Sequence, residues 1–323
     1  MARYLVVGGA GFIGSHMVRI LDRAGHDVVV LDDLSTGHAD AIEGYELVVA
    51  PMADRARVRD VLRQGSFDGV FHFAGSIQVG ESVLDPLKYY RQNVADTIHL
   101  LDAVVEAGIG SLVFSSSAAV YGNCDSGGIP ESAPVQPMNP YGRTKAMVES
   151  ILADLDQAGR LRYAAMRYFN AAGCALDGTL GERHDPETHL IPNLLKAART
   201  GGSFHMFGSD YPTPDGTCVR DYVHVTDLVE AHLAALERTR RTGSSAVYNL
   251  GSGAGTSVRE MVDLAREVTG RPIEVVVGPR RAGDPARLVA SIDRARSELG
   301  WTPRLSDPRT VLESAWHAYC RFF

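Results

Sequence analysis

The sequence predicts an α/β fold: a doubly wound parallel sheet joined to a smaller α/β lobe. Three observations carry that prediction. Short apolar strands alternate with helical stretches through the first half of the 323-residue chain. A glycine-spaced turn, Gly8, Gly11 and Gly14, lies between the first strand and the first helix. The second half loses the alternation and breaks into loops rich in Gly, Pro and Asp. Strands bounded by glycine or charge and separated by helices imply parallel neighbours covered on both faces.

Strands are expected at Tyr4–Val7, Val28–Leu31, Leu47–Val49, Gly69–Phe73, Leu112–Phe114 and Tyr163–Arg167. Between them, helices are expected at Ile13–Ala24, Ala56–Gln64, Pro86–Ala107 and Tyr141–Gln157, the last opened by Asn139-Pro140, a helix-start signal. In the second half, loops at Asp177–Thr188, Gly208–Thr217 and Gly278–Asp284 separate helices at Leu190–Thr200, Val225–Thr239 and Val258–Thr269. Val247–Leu250 is strand-like and is a candidate to return to the main sheet. The expected division is a nucleotide-binding domain over residues 1–170, with return segments near 218–250, and a substrate lobe over residues 171–323.

The bulk composition removes several function classes. A net charge of −7 and a pI near 5.9 argue against a nucleic-acid surface. No apolar run reaches the ~18–20 residues that a membrane helix needs. Cys124, Cys174, Cys218 and Cys320 form no CxxC pair and point to thiols in a reducing compartment rather than a disulfide framework. With no basic-then-apolar leader ahead of Arg3, a cytoplasmic protein is expected.

The turn Gly8-Gly9-Ala10-Gly11-Phe12-Ile13-Gly14 follows a strand and opens a helix. Glycines there permit a tight turn and close backbone approach to a pyrophosphate at the helix N-terminus. The second strand ends at Asp32, whose carboxylate can accept hydrogen bonds from an adenosine ribose and would repel a 2′-phosphate. The first domain is therefore expected to be Rossmann-type and to hold NAD rather than NADP.

Tyr141 and Lys145 stand on one helix face, 24 residues after Ser117 in the case of the tyrosine. Bringing a phenol from about 10 to about 7 takes roughly 4 kcal/mol of differential stabilisation. A nearby lysine and an oxidised nicotinamide could supply much of it. Alone, the spacing occurs by chance on many amphipathic helices; the glycine turn, Asp32 and Ser117 raise it to a candidate hydride-transfer site.

These residues resemble the extended short-chain dehydrogenase/reductase superfamily and, within it, the UDP-glucose (UDP-galactose) 4-epimerases. The resemblance spans nearly the whole chain. It includes His72-Phe73-Ala74-Gly75, Val79-Gly80-Glu81-Ser82, Tyr89-Tyr90-Arg91-Gln92-Asn93, Arg167-Tyr168-Phe169-Asn170, Phe207–Thr213, Arg220–Val225 and Arg280–Asp284. It implies that Tyr141 takes the proton of the sugar 4-OH, that Lys145 holds the nicotinamide ribose and lowers the tyrosine pKa, and that Ser117 binds the 4-oxygen. The oxidised 4-keto sugar then turns over and is reduced on its other face. The resemblance further implies that Gly8, Gly11, Phe12, Ile13, Gly14 and Asp32 contact NAD, as do Phe73, Ala74, Gly75, Asn93, Tyr168 and Phe169. For the UDP-sugar it implies Arg220 and Arg281 on the diphosphate with Asn170 nearby, Phe207 at the uracil, Asp284 at a ribose and Leu288 beside the sugar.

The chain also departs from its relatives. Ala50-Pro51-Met52-Ala53 replaces a Gly-Asp whose acid reaches adenine, and Ile77 stands where some relatives carry a cofactor-facing lysine. Ala118 and Ala119 occupy the positions where nucleotide-sugar dehydratases carry Asp-Glu and decarboxylases a glutamate, which argues for epimerisation without elimination. Leu288 is expected to crowd an acetamido group, giving weak or no activity on UDP-N-acetylglucosamine. A UDP-N-acetylglucosamine or UDP-glucuronate 4-epimerase and a non-catalytic NAD-binding regulator remain as alternatives. No metal site is expected, because the spacing of His184-Asp185-Pro186-Glu187-Thr188-His189 fits no helix face. Relatives pair helices like Pro86–Ala107 and Tyr141–Gln157 across a two-fold axis, so a homodimer is expected.

Overall fold

A seven-stranded parallel sheet runs through the computed structural model, which describes residues 1–124, 127–281 and 284–323. Six strands follow in chain order: β1 (Arg3–Val7), β2 (Asp27–Asp32), β3 (Glu46–Val49), β4 (Gly69–His72), β5 (Ser111–Ser115) and β6 (Arg162–Tyr168). Ala246–Leu250 is the seventh and pairs in parallel with β6. Across the sheet the order is Ala246–Leu250, β6, β5, β4, β1, β2, β3. From β1 the chain winds outward through β2 to β3, then crosses to the other side of β1 for β4. That reversal opens a crevice at the carboxyl ends of β1 and β4, where a doubly wound sheet binds its ligand.

The strands are buried on both faces, and the period of two sorts their side chains. One face carries Val6, Val30, Phe71, Val113 and Met166, packed against Met17 and Leu228 of the helices Phe12–Arg23 and Val225–Thr242. The other carries Leu5, Val29, Val70, Leu112 and Phe114, packed against Val58, Leu100 and Val148 of Arg55–Gly65, Asp96–Glu106 and Pro140–Gln157. A third apolar cluster, around Leu194, Phe204, Met206, Met261 and Leu312, lies in the second half of the chain.

Several features differ from the sequence expectation. The helix expected over Pro86–Ala107 runs as Pro86–Tyr89 and Asp96–Glu106 with a π-helical stretch, Tyr90–Ala95, between them. A wider turn of this kind re-aims side chains at functional sites, and here it carries Asn93. A parallel pair, Ser203–Phe207 with Glu274–Gly278, forms a separate small sheet; its second strand leaves Val276 and Val277 exposed, so no alternation marked it. The helix Pro308–Phe322 closes the chain, capped by the Asp307 side chain with Pro308 in its first turn, a start signal that was legible. Ala282 and Gly283, within the Arg280–Asp284 run, lie outside the described residues.

Candidate active site

β1 hands over to the helix Phe12–Arg23 through the glycine turn. Gly11 is its N-cap residue, with no side-chain capping bond and no acidic side chain in the first turn. The helix dipole and the first-turn N–H groups are therefore offered to an anion rather than neutralised from within. A Cβ at Gly14 would lie 2.1 Å from the Gly8 carbonyl oxygen, so only glycine lets the helix sit this close to the turn. Asp32, at the end of β2, accepts from Ala10 N–H at 2.9 Å with one oxygen and from Leu34 N–H at 2.9 Å with the other. Burial pushes its pKa up, and those two backbone bonds pull it down. An uncapped helix start, a turn that excludes side chains and a buried carboxylate form a donor and acceptor set that fits the pyrophosphate and ribose of NAD. Beyond them, Ala50, Pro51, Met52 and Ala53 offer only apolar side chains. The next acid, Asp54, is used as a helix cap, accepting from Arg57 N–H at 3.0 Å.

The catalytic candidates meet where β5 and the helix Pro140–Gln157 converge. Asn139 accepts from Gly142 N–H at 2.8 Å and Pro140 opens the first turn, so the helix begins just ahead of Tyr141. A Cβ at Gly142 would lie 2.5 Å from the Ala119 carbonyl oxygen, which shows how closely the helix start is pressed on the serine run. Ser117 caps the short turn Ala118–Val120, accepting from Ala119 N–H at 3.2 Å. Its hydroxyl stands near enough to the Tyr141 phenol to pull the phenol's pKa down.

Lys145 lies behind the phenol, outside the lining of the cavity, and is 3% exposed. Its ammonium donates to the Ser115 carbonyl at 2.7 Å and stands 4.9 Å from the centre of the Phe114 ring. Burial pushes the lysine down to about 8, with Glu149 pulling it back up. Without a cofactor, other groups than Lys145 set the Tyr141 phenol. Burial pushes the phenol upward, Tyr168 adds to that, and the Ser117 hydroxyl pulls the other way. The ammonium is 5.9 Å from the Tyr141 ring centre and engaged by a carbonyl, so desolvation wins.

One cavity of about 2140 Å³ unites these groups. Gly8, Gly11, Phe12, Ile13, Gly14 and Asp32 line one end. Phe73, Ala74 and Gly75 continue it past β4, and Ile77 faces it too. Ser117, Ala118, Ala119, Tyr141, Tyr168 and Phe169 line the middle. Asn170, Phe207, Arg220, Arg281, Asp284 and Leu288 line the far end. Asn93, like Lys145, stays behind the wall. It accepts from Ser76 N–H at 2.8 Å and donates to the Ser76 carbonyl at 2.9 Å and to Thr144 Oγ1 at 3.1 Å, tying the Gly75–Ser76 turn to the Tyr141 helix. At the far end Arg220 pairs with Asp284, and Arg281 lies over the Phe207 ring at 4.0 Å. Leu288 sits on a short strand paired with Arg220.

Two parts of the wall escaped the sequence reading. After Asp32 the chain turns through Leu34, held at φ 58°, and Ser35, Thr36 and Gly37 complete the lining; the Ser-Thr-Gly composition was the available signal. The segment 182–193 also lines the cavity. There Glu182, His184, Glu187 and His189 bring one ligand atom each within 4.8 Å of one another, a convergence that sequence spacing did not reveal. Glu182 accepts from His189 Nδ1 at 2.5 Å and from His184 Nδ1 at 3.1 Å. The paired imidazoles hold its carboxyl well below the usual range, overcoming burial, and both glutamates raise His189. As it stands the cluster is an internal ion-pair network.

A family model described as the NAD dependent epimerase/dehydratase family matches residues 4–251. The UDP-glucose 4-epimerase of Lactobacillus helveticus is 49% identical over 316 residues, covering 97% of this chain and 96% of that protein. The crystal structure of a UDP-glucose 4-epimerase from Brucella ovis in complex with NAD superposes with a TM-score of 0.95 at 47% identity, over 99% of this chain and 98% of that one. A UDP-glucose 4-epimerase from Bifidobacterium longum, in complex with NAD+ and UDP, gives 0.94 at 35% identity with the same coverage.

Proposed function

This chain belongs to the NAD dependent epimerase/dehydratase family, and on that premise we propose that it catalyses the reversible C4 epimerisation of a UDP-hexose, interconverting UDP-glucose and UDP-galactose with NAD as cofactor. One observation carries the reading. A single cavity runs from the glycine turn and Asp32, past Ser117 and Tyr141, to Arg220, Arg281 and Phe207, with Ala118 and Ala119 beside the reacting centre.

NAD, when bound, supplies the acceptor for the hydrogen that leaves C4 and the donor that restores it. Tyr141 accepts the 4-hydroxyl proton and later returns it, and Ser117 binds the same oxygen and passes the proton between them. Lys145, buried behind Tyr141, contributes positive charge to the phenolate and reaches for the nicotinamide ribose. The 4-keto sugar turns over in the cavity and is reduced on its opposite face. Eliminating water or carbon dioxide would need a carboxyl group beside Ser117, and Ala118 and Ala119 provide none.

In this reading residues 1–170, with return segments near 218–250, grip the cofactor, and residues 171–323 grip the nucleotide sugar. Arg220 and Arg281 hold the diphosphate with Asn170, Phe207 packs on the uracil, and Asp284 serves a ribose while steadying Arg220. A grip on the nucleotide that leaves the hexose loose suits a sugar that must turn over. Leu288 crowds an acetamido group, so UDP-N-acetylglucosamine turns over poorly; Leu288→Ala should raise its rate relative to UDP-glucose, and an unchanged ratio would remove Leu288 from that role.

The protein works as a homodimer in this reading. Exposed Val83, Leu84 and Leu87 adjoin the Pro140–Gln157 helix, whose Met147 is also exposed, and a second copy would cover them. Sedimentation as a monomer at micromolar concentration would contradict it. The reaction belongs to galactose metabolism and to the cytoplasm, in keeping with the thiols of Cys174, Cys218 and Cys320. No helix among the described residues is long and apolar enough to cross a membrane.

The test is incubation of the purified protein, without added NAD, separately with UDP-glucose, UDP-N-acetylglucosamine and UDP-glucuronate. UDP-galactose formed from UDP-glucose supports the reading, and turnover without added NAD shows retained cofactor. No 4-epimer of UDP-glucose, even with NAD supplied, would overturn it.

A further inference from the structure

One turn beyond Lys145 the same helix carries Glu149, so Tyr141, Lys145 and Glu149 form a stripe at i, i+4 and i+8. Glu149 is 8% exposed and Arg167, at the end of β6, 5%. The two meet as a fork: Arg167 Nε donates to Glu149 Oε1 at 2.9 Å and Nη2 to Oε2 at 2.5 Å. Ser116 Oγ donates to Glu149 Oε1 at 2.5 Å. Ser116 is the middle of the serine run: the carbonyl before it accepts from Lys145, and the hydroxyl after it stands beside Tyr141. On its other side Arg167 donates to Tyr121 OH at 2.9 Å, which in turn donates to Asn249 Oδ1 at 2.7 Å. Glu149, Arg167, Ser116 and Tyr121 do not line the cavity, so none meets a substrate there.

A buried ion pair is a weak source of stability, because desolvation offsets most of the attraction and apolar replacements are often as stable. Its placement is what calls for explanation. We propose that the Glu149–Arg167 pair positions the reaction centre: Glu149 locks the serine run to the Tyr141 helix and serves as the counter-charge that keeps Lys145 an ammonium. This deepens, and rests on, the assignment of Tyr141 and Lys145 to the epimerisation.

Lys145 is the group that such a counter-charge would govern. Tyr141 and Glu149 face it from its own helix and His72 from β4, while Tyr168 and Tyr89 act on the Tyr141 phenol and Arg167 is bound to Glu149. Burial, with Lys145 adding to it, pushes His72 down to about 3, so it is neutral. Burial raises Tyr141, Tyr168 and Tyr89. Burial works against the charge on Arg167, but Glu149 more than restores it. Lys145 is the member of this set whose charge changes just above neutrality, and Glu149 pulls its pKa upward. Without that carboxylate the lysine should lose its proton at lower pH.

The experiment uses the NAD-loaded enzyme and follows kcat against pH for wild type, Glu149→Gln and the double variant Glu149→Gln/Arg167→Met. The double variant removes both members of the pair, so neither Glu149 nor Arg167 is left as an unpaired buried charge, and it decides the question even where Glu149→Gln fails to fold. The alkaline limb of kcat should move acidward by roughly one pH unit in the double variant, with KM for UDP-galactose changed by less than about threefold. A double variant with the wild-type limb, whatever its melting temperature, would reduce the pair to a structural contact and overturn the proposal. Full turnover by Lys145→Met would instead sink the underlying assignment of the lysine.

Discussion

The Lys145 ammonium lies 5.9 Å from the centre of the Tyr141 ring, held behind the phenol by the Ser115 carbonyl at 2.7 Å. Burial then dominates the phenol, which keeps its proton well past neutrality in the protein alone. A base that functions near pH 7 therefore needs a further positive charge, and the oxidised nicotinamide ring is one. Difference absorbance titration should find Tyr141 ionising at lower pH with NAD bound than without it, a shift that Tyr141→Phe removes. The same variant should lose roughly 10²–10⁴-fold in kcat while keeping its fold, the usual worth of a positioned proton-transfer group. Interconversion of the sugars at the wild-type rate would remove Tyr141 from the mechanism.

Gly142 offers a test of placement without touching the reacting groups. A methyl group there would fall 2.5 Å from the Ala119 carbonyl oxygen, so Gly142→Ala must push the Tyr141 helix off the serine run. Displacements near 1 Å can cost about 10² in rate. We expect kcat to fall by about that factor, with NAD affinity within about threefold of wild type because the glycine turn is untouched. Equal losses in both would mean general destabilisation instead.

Asp32 carries a structural duty and, in the proposed reading, a binding one. Both oxygens already accept backbone N–H groups, at 2.9 Å each. In Asp32→Asn an amide N–H₂ must face one of those donors, which leaves a buried N–H unsatisfied at roughly 1–3 kcal/mol. Titration calorimetry should show NAD binding weakened by about 10- to 100-fold, from a lost ribose acceptor and a disturbed turn. The preference over NADP should narrow as well, because the repelling charge is gone. Unaltered NAD affinity would place the ribose elsewhere.

The 182–189 segment makes a pH prediction. Glu182 is depressed by its imidazole partners against burial, and the half-exposed His189 is raised by Glu182 and Glu187. A depressed carboxyl contributes stability that is present above its ordinary 4.5 and lost as pH falls through its folded value. A raised histidine contributes stability that is complete below its ordinary 6.5 and lost as pH rises through its folded value. The two contributions overlap fully between 4.5 and 6.5. Melting temperatures of wild type and His189→Asn should differ most in that window and converge toward alkaline pH. A difference independent of pH would show that the contact is not ionic.

Much of the frame was legible because its signals are local. Strands such as Val28–Leu31, helices such as Leu190–Thr200 and the Asn139-Pro140 start each follow from side-chain period, capping and turn chemistry. The glycine turn, Asp32 and Ser117 stood out because the chemistry proposed for them requires particular residue types. What stayed hidden depends on three-dimensional closure. Nothing in Tyr90–Ala95 distinguishes a π-helical turn from an α-helical one, yet that turn sends Asn93 to the Ser76 backbone. Glu182 and His189 are seven residues apart in a loop, and only the fold brings them into contact. Glu149 and Arg167 are ordinary charged residues in the sequence. Their significance comes from burial, and from the serine run that threads between them and Lys145.

The most direct test of oxidation and re-reduction at one carbon follows a label. Wild-type protein would be given UDP-galactose bearing deuterium at C4, in ordinary water, and the UDP-glucose formed would be analysed by mass and proton spectra. Transfer of one hydrogen away from C4 and back within a closed site predicts UDP-glucose that retains the deuterium at C4. Product carrying solvent hydrogen at C4, or accumulation of a dehydrated keto sugar in its place, would contradict it.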